Sequence, residues 1–84
     1  MPEIARFYGL IVKMFFRKKE HEPPHIHVLY GEYSGEIDIQ NGEMMEGDLP
    51  PRAYRLVKEW LVTHKNELLE MWNSQQIKKL PPLV

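Results

Sequence analysis

Residues 23–39 read PPHIHVLYGEYSGEIDI, and this stretch decides the fold because two alternating runs flank the dipeptide Gly31-Glu32. Two period-two runs separated by two residues, with glycine first, predict a β-hairpin closed by a type II′ turn. Tyr30 then lies opposite Tyr33. The same register pairs the remaining residues as follows: Val28 with Gly35, His27 with Glu36, Ile26 with Ile37 and His25 with Asp38.

The alternation of side chains supports this register independently of the turn. Successive strand residues point to opposite faces, so Ile26 and Val28 share one face and the two histidines share the other. A slip by one residue would place these two apolar residues opposite Glu36 and Ser34, so the hydrophobic pattern selects the predicted pairing. The polar face then carries four candidate site residues: His25, His27, Glu36 and Asp38.

Three kinds of chemistry fit these four side chains. The first is a divalent metal ion bound by His25 and His27, with Asp38 or Glu36 as the carboxylate ligand. The second is metal-free acid-base catalysis of the ribonuclease type, in which one histidine is the general acid or base and one carboxylate orients it. The third is purely structural, since exposed cross-strand histidine–acid pairs stabilise a sheet by about 0.2–1 kcal/mol each.

The segment before the hairpin is densely charged and bears on the first two alternatives. In a ribonuclease, Arg17, Lys18 or Lys19 would hold the phosphate. His21 lies four residues before His25 and offers a third imidazole, but its charged surroundings favour a solvated loop. The sequence contains no HExxH motif, no cysteine–histidine zinc spacing and no EF-hand loop, so a metal site depends on the two histidines of the hairpin.

Length and composition restrict the class of protein. The 84 residues predict one domain, 1–84, with a core small enough that a homodimer or a partner protein could complete it. The absence of cysteine excludes a disulfide framework and fits a reducing cytoplasm. The amino-terminal residues lack a basic leader, and no apolar run approaches the roughly 18 residues of a membrane span. We therefore expect a cytoplasmic protein with no membrane segment, and the net charge of −1 does not support RNA as a partner.

The strand pattern predicts an antiparallel meander. Residues 4–16 are rich in β-branched and aromatic types and predict one long strand, with a bulge or close packing at Gly9. The hairpin supplies strands at 25–30 and 33–40. The dipeptide Asn41-Gly42 then predicts a second tight turn into a strand at 43–46. This turn would pair Ile39 with Met44 and Asp38 with Met45.

Apolar residues recur at steps of three and four after Asp48, which is a suitable helix cap. They predict one amphipathic helix over about 49–74, packed on the Ile26 face of the sheet, and thus an α+β fold of about four strands and one helix. The histidine face would stay uncovered. His64 lies in the apolar stripe of this helix, where a partly buried histidine is commoner than a ligand.

Several motifs follow one another along the chain: Ile-Ala-Arg-Phe-Tyr-Gly at 4–9, the Pro-Pro-His-Ile-His hairpin with its Tyr-Gly-Glu-Tyr turn, Asp-x-x-x-Gly-Glu at 38–43, Leu-Pro-x-Arg-Ala at 49–53 and Glu-Trp at 59–60. As a set they resemble the small bacterial family catalogued as domain of unknown function four-one-six-zero, over essentially the whole chain. This sequence has Ile26 where phenylalanine is usual. The resemblance implies short cytoplasmic bacterial proteins, often encoded beside another small protein in an arrangement like that of toxin–antitoxin pairs, and it implies no activity.

The expected function is therefore a protein-interaction component of a toxin–antitoxin-like two-gene system. Its partner would be the protein encoded by the neighbouring gene, bound by the polar face or by the free end of the helix. The alternatives are a small ribonuclease that uses His25 or His27 with Asp38 or Glu36, and a divalent-metal-binding protein that uses His25, His27 and Asp38. Apart from such a metal, no cofactor is expected.

Overall fold

Five antiparallel strands follow one another along the chain and pair in the order β1-β2-β3-β4-β5. This computed structural model describes residues 3–14 and 23–82. The strands are β1 Glu3–Phe7, β2 Leu10–Lys13, β3 His25–Tyr30, β4 Tyr33–Asp38 and β5 Met44–Asp48, and the helices are α1 Pro51–Thr63 and α2 Lys65–Ser74. The α+β class and the meander are thus confirmed, with five strands and two helices in place of about four strands and one helix.

The central hairpin of β3 and β4 has the predicted register. Pairing runs from Tyr30 opposite Tyr33 to His25 opposite Asp38. Gly31 has a positive φ of +57°, and Glu32 does not have a positive φ. A type II′ turn requires this combination at its two central residues. The turn and the alternation of side chains therefore determine which residues share a face.

The long strand predicted over 4–16 is wrong, because the chain reverses at Tyr8-Gly9. The φ angles of these two residues are 51° and 80°, and a type I′ turn needs a positive φ at both central positions. β1 and β2 pair on either side of this turn, starting with Phe7 opposite Leu10. Gly9 is accordingly a turn residue and not a bulge within a strand, and residues 15 and 16 of the predicted strand lie outside the described residues.

The chain also turns at Asn41-Gly42, but through a longer loop than predicted. β4 ends at Asp38 and β5 begins at Met44, so five residues, 39–43, connect the two strands. Met44 pairs with Ile37, two residues before its predicted partner, and the register shifts next to this pair. Both pairs predicted across this turn are wrong, because the Asp38 carboxylate starts the turn early by binding amides of the loop.

The predicted single helix is wrong at His64, where the chain leaves the helical conformation at φ −111° and ψ 17°. Its amide is shared between the carbonyl oxygens three and four residues earlier. Just before it, Thr63 Oγ1 donates to the carbonyl of Glu59 at 3.1 Å, a contact that bends helices. Among the residues that the structure describes, no helix is long and apolar enough to cross a membrane.

The helices and the apolar face of the sheet bury one common cluster. Its members are Ile4, Ala5, Phe7, Leu10, Val12, Met14, Ile26, Val28, Ile37, Ile39, Leu49, Ala53, Val57, Trp60, Leu61, Leu68, Met71 and Leu80. Trp60 lies at its centre, with its ring 5.7 Å from that of Phe7 and its Nε1 donating to the carbonyl of Pro81 at 2.8 Å. The helices therefore cover the face of Ile26 and Val28, as predicted.

Gly47 and Gly31 give a matched test of this sheet. Both have a positive φ, +87° and +57°, so alanine is strained at either position. At Gly47 a Cβ would also overlap the Ser34 carbonyl oxygen and lie 2.8 Å from Gly35 Cα, whereas at Gly31 it would meet nothing within 4 Å. We expect G47A to lower the free energy of unfolding by about 1–3 kcal/mol more than G31A, measured by urea denaturation. Equal losses would contradict the pairing of β4 with β5.

Candidate metal centre

A row of charged side chains crosses the face of the sheet opposite the helices, which we call the outer face. Direct pairing across the four strand pairs places five residues in this row: Glu3, Lys13, His27, Glu36 and Glu46. At the β1 end, Arg6 donates to Glu3 at 2.8 Å and lowers the pKa of that carboxyl. At the β5 end two carboxylates stand directly opposite each other, an arrangement that costs free energy unless a cation lies near. The row therefore carries three carboxylates, one lysine and one histidine.

His25 lies on the outer face next to this row, and it is buried. Its ring centroid is 5.2 Å from that of His27 and 5.1 Å from that of Trp72 in α2. Only 1% of its surface is exposed. The prediction that the helix leaves the histidine face uncovered is therefore wrong at His25, because this residue begins β3, where α2 reaches the end of the sheet.

The first ring nitrogen of His25 is held by the backbone. His25 Nδ1 lies 2.9 Å from the carbonyl oxygen of Pro23. A carbonyl oxygen can only accept, so Nδ1 carries the proton and donates. In a neutral ring this leaves a lone pair on Nε2, which lies 3.4 Å from Glu36 Oε1. The prolines before the strand thus orient the imidazole as well as the backbone.

The contact between His25 Nε2 and Glu36 Oε1 is unfavourable when the ring is neutral and the carboxyl is ionised. In the neutral tautomer a lone pair would face a carboxylate oxygen, and two acceptors repel each other. Within the described residues Nε2 makes no hydrogen bond, although its accessible surface is below 1 Å². A buried polar atom without a hydrogen bond costs about 1–3 kcal/mol. Either a proton or a metal ion between the two atoms removes this cost.

Three possible ligands converge at this point. One nitrogen each of His25 and His27 and one carboxylate oxygen of Glu36 all lie within 4.8 Å of one another. In a tetrahedral site with bonds of about 2.0–2.1 Å, neighbouring ligand atoms are roughly 3.3 Å apart. The 3.4 Å between His25 and Glu36 already fits such an edge. Two imidazoles and a carboxylate suit zinc and the neighbouring divalent transition metals.

Asp38, the other predicted carboxylate, serves the loop. It lies opposite His25 in the register. One of its oxygens, Oδ1, accepts the backbone amide of Gln40 at 2.7 Å and that of Asn41 at 3.4 Å. The contact of the His25 ring is therefore diagonal, to Glu36 across the strand pair, and Asp38 does not belong to the converging group.

The remaining two histidines do not belong to the converging group: His64 lies apart from it, and His21 lies outside the described residues. His64 Nδ1 lies 2.8 Å from Glu67 Oε1, and its ring centroid lies 5.2 Å from that of Trp60, with the two rings tilted by 51°. This pair stands at the break between the two helices. His21 and the basic residues 17–19, predicted as a further ligand and as phosphate contacts, lie outside the described residues. Sequence reasoning missed Trp72 as a contact of His25, because the helix was predicted to lie wholly on the other face.

The fold and the site define the class of protein. It is a small α+β domain with a five-stranded meander, two helices on one face of the sheet, and a group of two imidazoles and one carboxylate on the other face. Residues 9–73 match the family described as Domain of unknown function (DUF4160). The chain belongs to this family, as the resemblance predicts. No curated protein and no solved structure matches it.

The role of Asp38 can be separated from that of Glu36 by paired substitutions. D38A removes the acceptor of two loop amides and should lower the free energy of unfolding by about 1 kcal/mol. D38N keeps an oxygen at the same place and should retain most of this stability. Thermal denaturation followed by circular dichroism measures both. A loss in D38N as large as that in D38A would show that the charge of Asp38, and not its acceptor, is needed.

Proposed function

We propose that this protein binds a divalent transition-metal ion, such as zinc, through His25, His27 and Glu36. The observation that carries the proposal is the orientation of His25. Its Nδ1 donates to the Pro23 carbonyl, so its buried Nε2 faces Glu36 Oε1 at 3.4 Å with a lone pair. Metal-binding histidines typically donate their second ring nitrogen to a backbone carbonyl or a carboxylate in this way.

The second imidazole of the group supports a metal ion more than a proton. A proton on His25 Nε2 would join only His25 and Glu36. A metal ion also accounts for His27, which has a ring nitrogen within reach of the same point. Acid-base catalysis by a single histidine gives that second ring no role.

The sequence-based prediction of a partner protein from a two-gene system and the ribonuclease alternative stay predictions. The family description names no activity. The basic residues that would hold phosphate in a ribonuclease lie at 17–19, outside the described residues. A metal site is compatible with either role, since a bound ion can be structural, catalytic or part of an interface.

Two glutamates provide a matched test of metal binding. Glu36 and Glu67 each lie beside a histidine, at 3.4 Å from His25 and 2.8 Å from His64. Only Glu36 belongs to the converging group. We expect one zinc ion per chain by isothermal titration calorimetry of the metal-free protein. E36Q should weaken binding at least tenfold, and E67Q should leave it unchanged.

The same variants give a readout on stability. An ion that binds only the native state raises the melting temperature by mass action. Zinc should therefore stabilise the wild type and E67Q, and E36Q much less. If 100 µM zinc leaves the wild type unshifted, or if E67Q loses as much affinity as E36Q, the proposed site is wrong.

Trp72 offers a local optical probe of the same site. Its ring lies 5.1 Å from that of His25. A paramagnetic ion such as Ni²⁺ or Co²⁺ bound to this imidazole should quench its fluorescence strongly. W72F should bind the ion and lose most of the quenching, with Trp60 as the remaining emitter. Undiminished fractional quenching in W72F would place the ion elsewhere.

A further inference from the structure

A cavity lies on the helix side of the sheet, away from the proposed metal centre. Its volume is about 480 Å³, within the range of small-molecule sites, and it is lined by Tyr8, Tyr30, Arg52, Ala53 and Leu56. Tyr8 belongs to the turn between β1 and β2, Tyr30 ends β3, and the other three residues belong to α1. This end of the sheet is opposite to the one where the described chain stops at Met14 and resumes at Pro23.

Tyr8 is the unusual residue of this wall. Its φ of 51° is left-handed, a conformation that strains a tyrosine and that glycine or asparagine adopts more readily. Burial does not offset this strain, because 60% of the residue is exposed and its ring meets that of Phe7 at a centroid distance of 6.3 Å. Strained backbone of this kind concentrates at functional sites. The strain therefore marks the Tyr8 side chain as a candidate ligand contact.

The ring of Tyr30 gives the cavity a second aromatic surface beside the same turn. A Cβ built on Gly9 would lie 3.5 Å from Tyr30 Cε1, so this ring lies against the backbone of the turn that carries Tyr8. Tyr30 is only partly buried. Two phenol rings and the aliphatic Leu56 thus border the cavity, and such rings pack well against the flat face or the edge of another aromatic ring.

Among the described residues of the wall, Arg52 alone is charged. No described residue forms a hydrogen bond or an ion pair with it, whereas Arg6 donates to Glu3 at 2.8 Å. Glu32 and Asp48 do not line the cavity, and the first turn of α1 contains no acidic residue. A guanidinium binds a carboxylate through two parallel N–H bonds. Its single charge matches a carboxylate, whereas a phosphate monoester would keep a second charge unbalanced.

We infer that this cavity binds a small aromatic carboxylate, with its ring against Tyr8 and Tyr30 and its carboxylate accepting from Arg52. The guanidinium selects an anion over a neutral amide or an amine, and the two phenol rings select a flat ring over an aliphatic one. The inference does not depend on the metal centre, because that centre lies on the other face of the sheet.

The test follows ¹H–¹⁵N spectra of the full chain during titration with matched small molecules. Phenylacetate should shift amides of the β1–β2 turn and of the start of α1, and should saturate with a dissociation constant in the millimolar range. Phenylacetamide and phenethylamine replace the carboxylate by a neutral and a positive group, and should bind at least fivefold more weakly. Cyclohexylacetate, which lacks the flat ring, and phenyl phosphate, which carries the second charge, should also bind more weakly.

Two arginines of α1 give a matched control. Both Arg52 and Arg55 are exposed, and only Arg52 lines the cavity. R52Q should remove the preference for phenylacetate over phenylacetamide, and R55Q should keep it.

Y8N separates ligand binding from a structural role of the tyrosine. Asparagine suits the left-handed position before glycine, so Y8N should raise the melting temperature by a few degrees. It should nevertheless weaken phenylacetate binding at least threefold, because one of the two rings is lost. Unchanged binding in Y8N would overturn the inference, and so would a lower melting temperature, since the tyrosine would then serve the fold.

The titrations overturn the inference in three further cases. These are the absence of a saturable shift below about 20 mM phenylacetate, equal binding of phenylacetate and phenylacetamide, and equal effects of R52Q and R55Q. A preference for the aromatic carboxylate that is lost in R52Q alone supports it.

Discussion

The two-residue turn at Gly31-Glu32 is the constraint on which the rest of the structure depends. It fixes Tyr30 opposite Tyr33, and every later pair of β3 and β4 follows from that one. Because strand side chains alternate, the same register sends Ile26 and Ile37 into the core and brings His27 opposite Glu36. A shift of one residue would break the hydrophobic core and the polar row together, so the fold and the candidate site share one determinant.

The second constraint is the burial of His25. An imidazole with only 1% of its surface exposed must have its polar atoms satisfied by the protein. The Pro23 carbonyl satisfies Nδ1, and this same bond turns Nε2 toward the Glu36 carboxylate. Trp72 covers the ring and keeps water away, which strengthens any electrostatic interaction at that point. The packing of α2 and the chemistry of the outer face are therefore linked through one side chain.

Local patterns in the sequence predict the central hairpin, its register and the covered face, because turn chemistry and alternation agree there. They mislead where a local signal is atypical. Tyr8 occupies a left-handed position that glycine or asparagine usually takes, so the first turn is hidden within an apolar run. At His64 neither glycine nor proline marks the break in the helix. The early start of the 39–43 loop depends on where the Asp38 carboxylate points, which no spacing rule contains.

The site was predictable to the same extent. The alternation places both histidines and two carboxylates on one face, but it cannot choose between Glu36 and Asp38. That choice follows from side-chain directions and from Asp38 binding to Gln40. Nor can it show that Trp72 covers His25, since a helix of the predicted length would stay on the opposite face. These are tertiary contacts between residues far apart in the sequence, and they determine which donors converge.

The central claim is that His25 presents a bare Nε2 to a metal ion while Nδ1 stays bonded to Pro23. The most direct measurement is ¹⁵N NMR of the histidine rings as one equivalent of zinc is added. The account predicts that Nδ1 of metal-free His25 carries a proton, that zinc shifts its Nε2 and a nitrogen of His27, and that the ring of His64 is unchanged. A His25 ring whose nitrogens stay unshifted in excess zinc would contradict it.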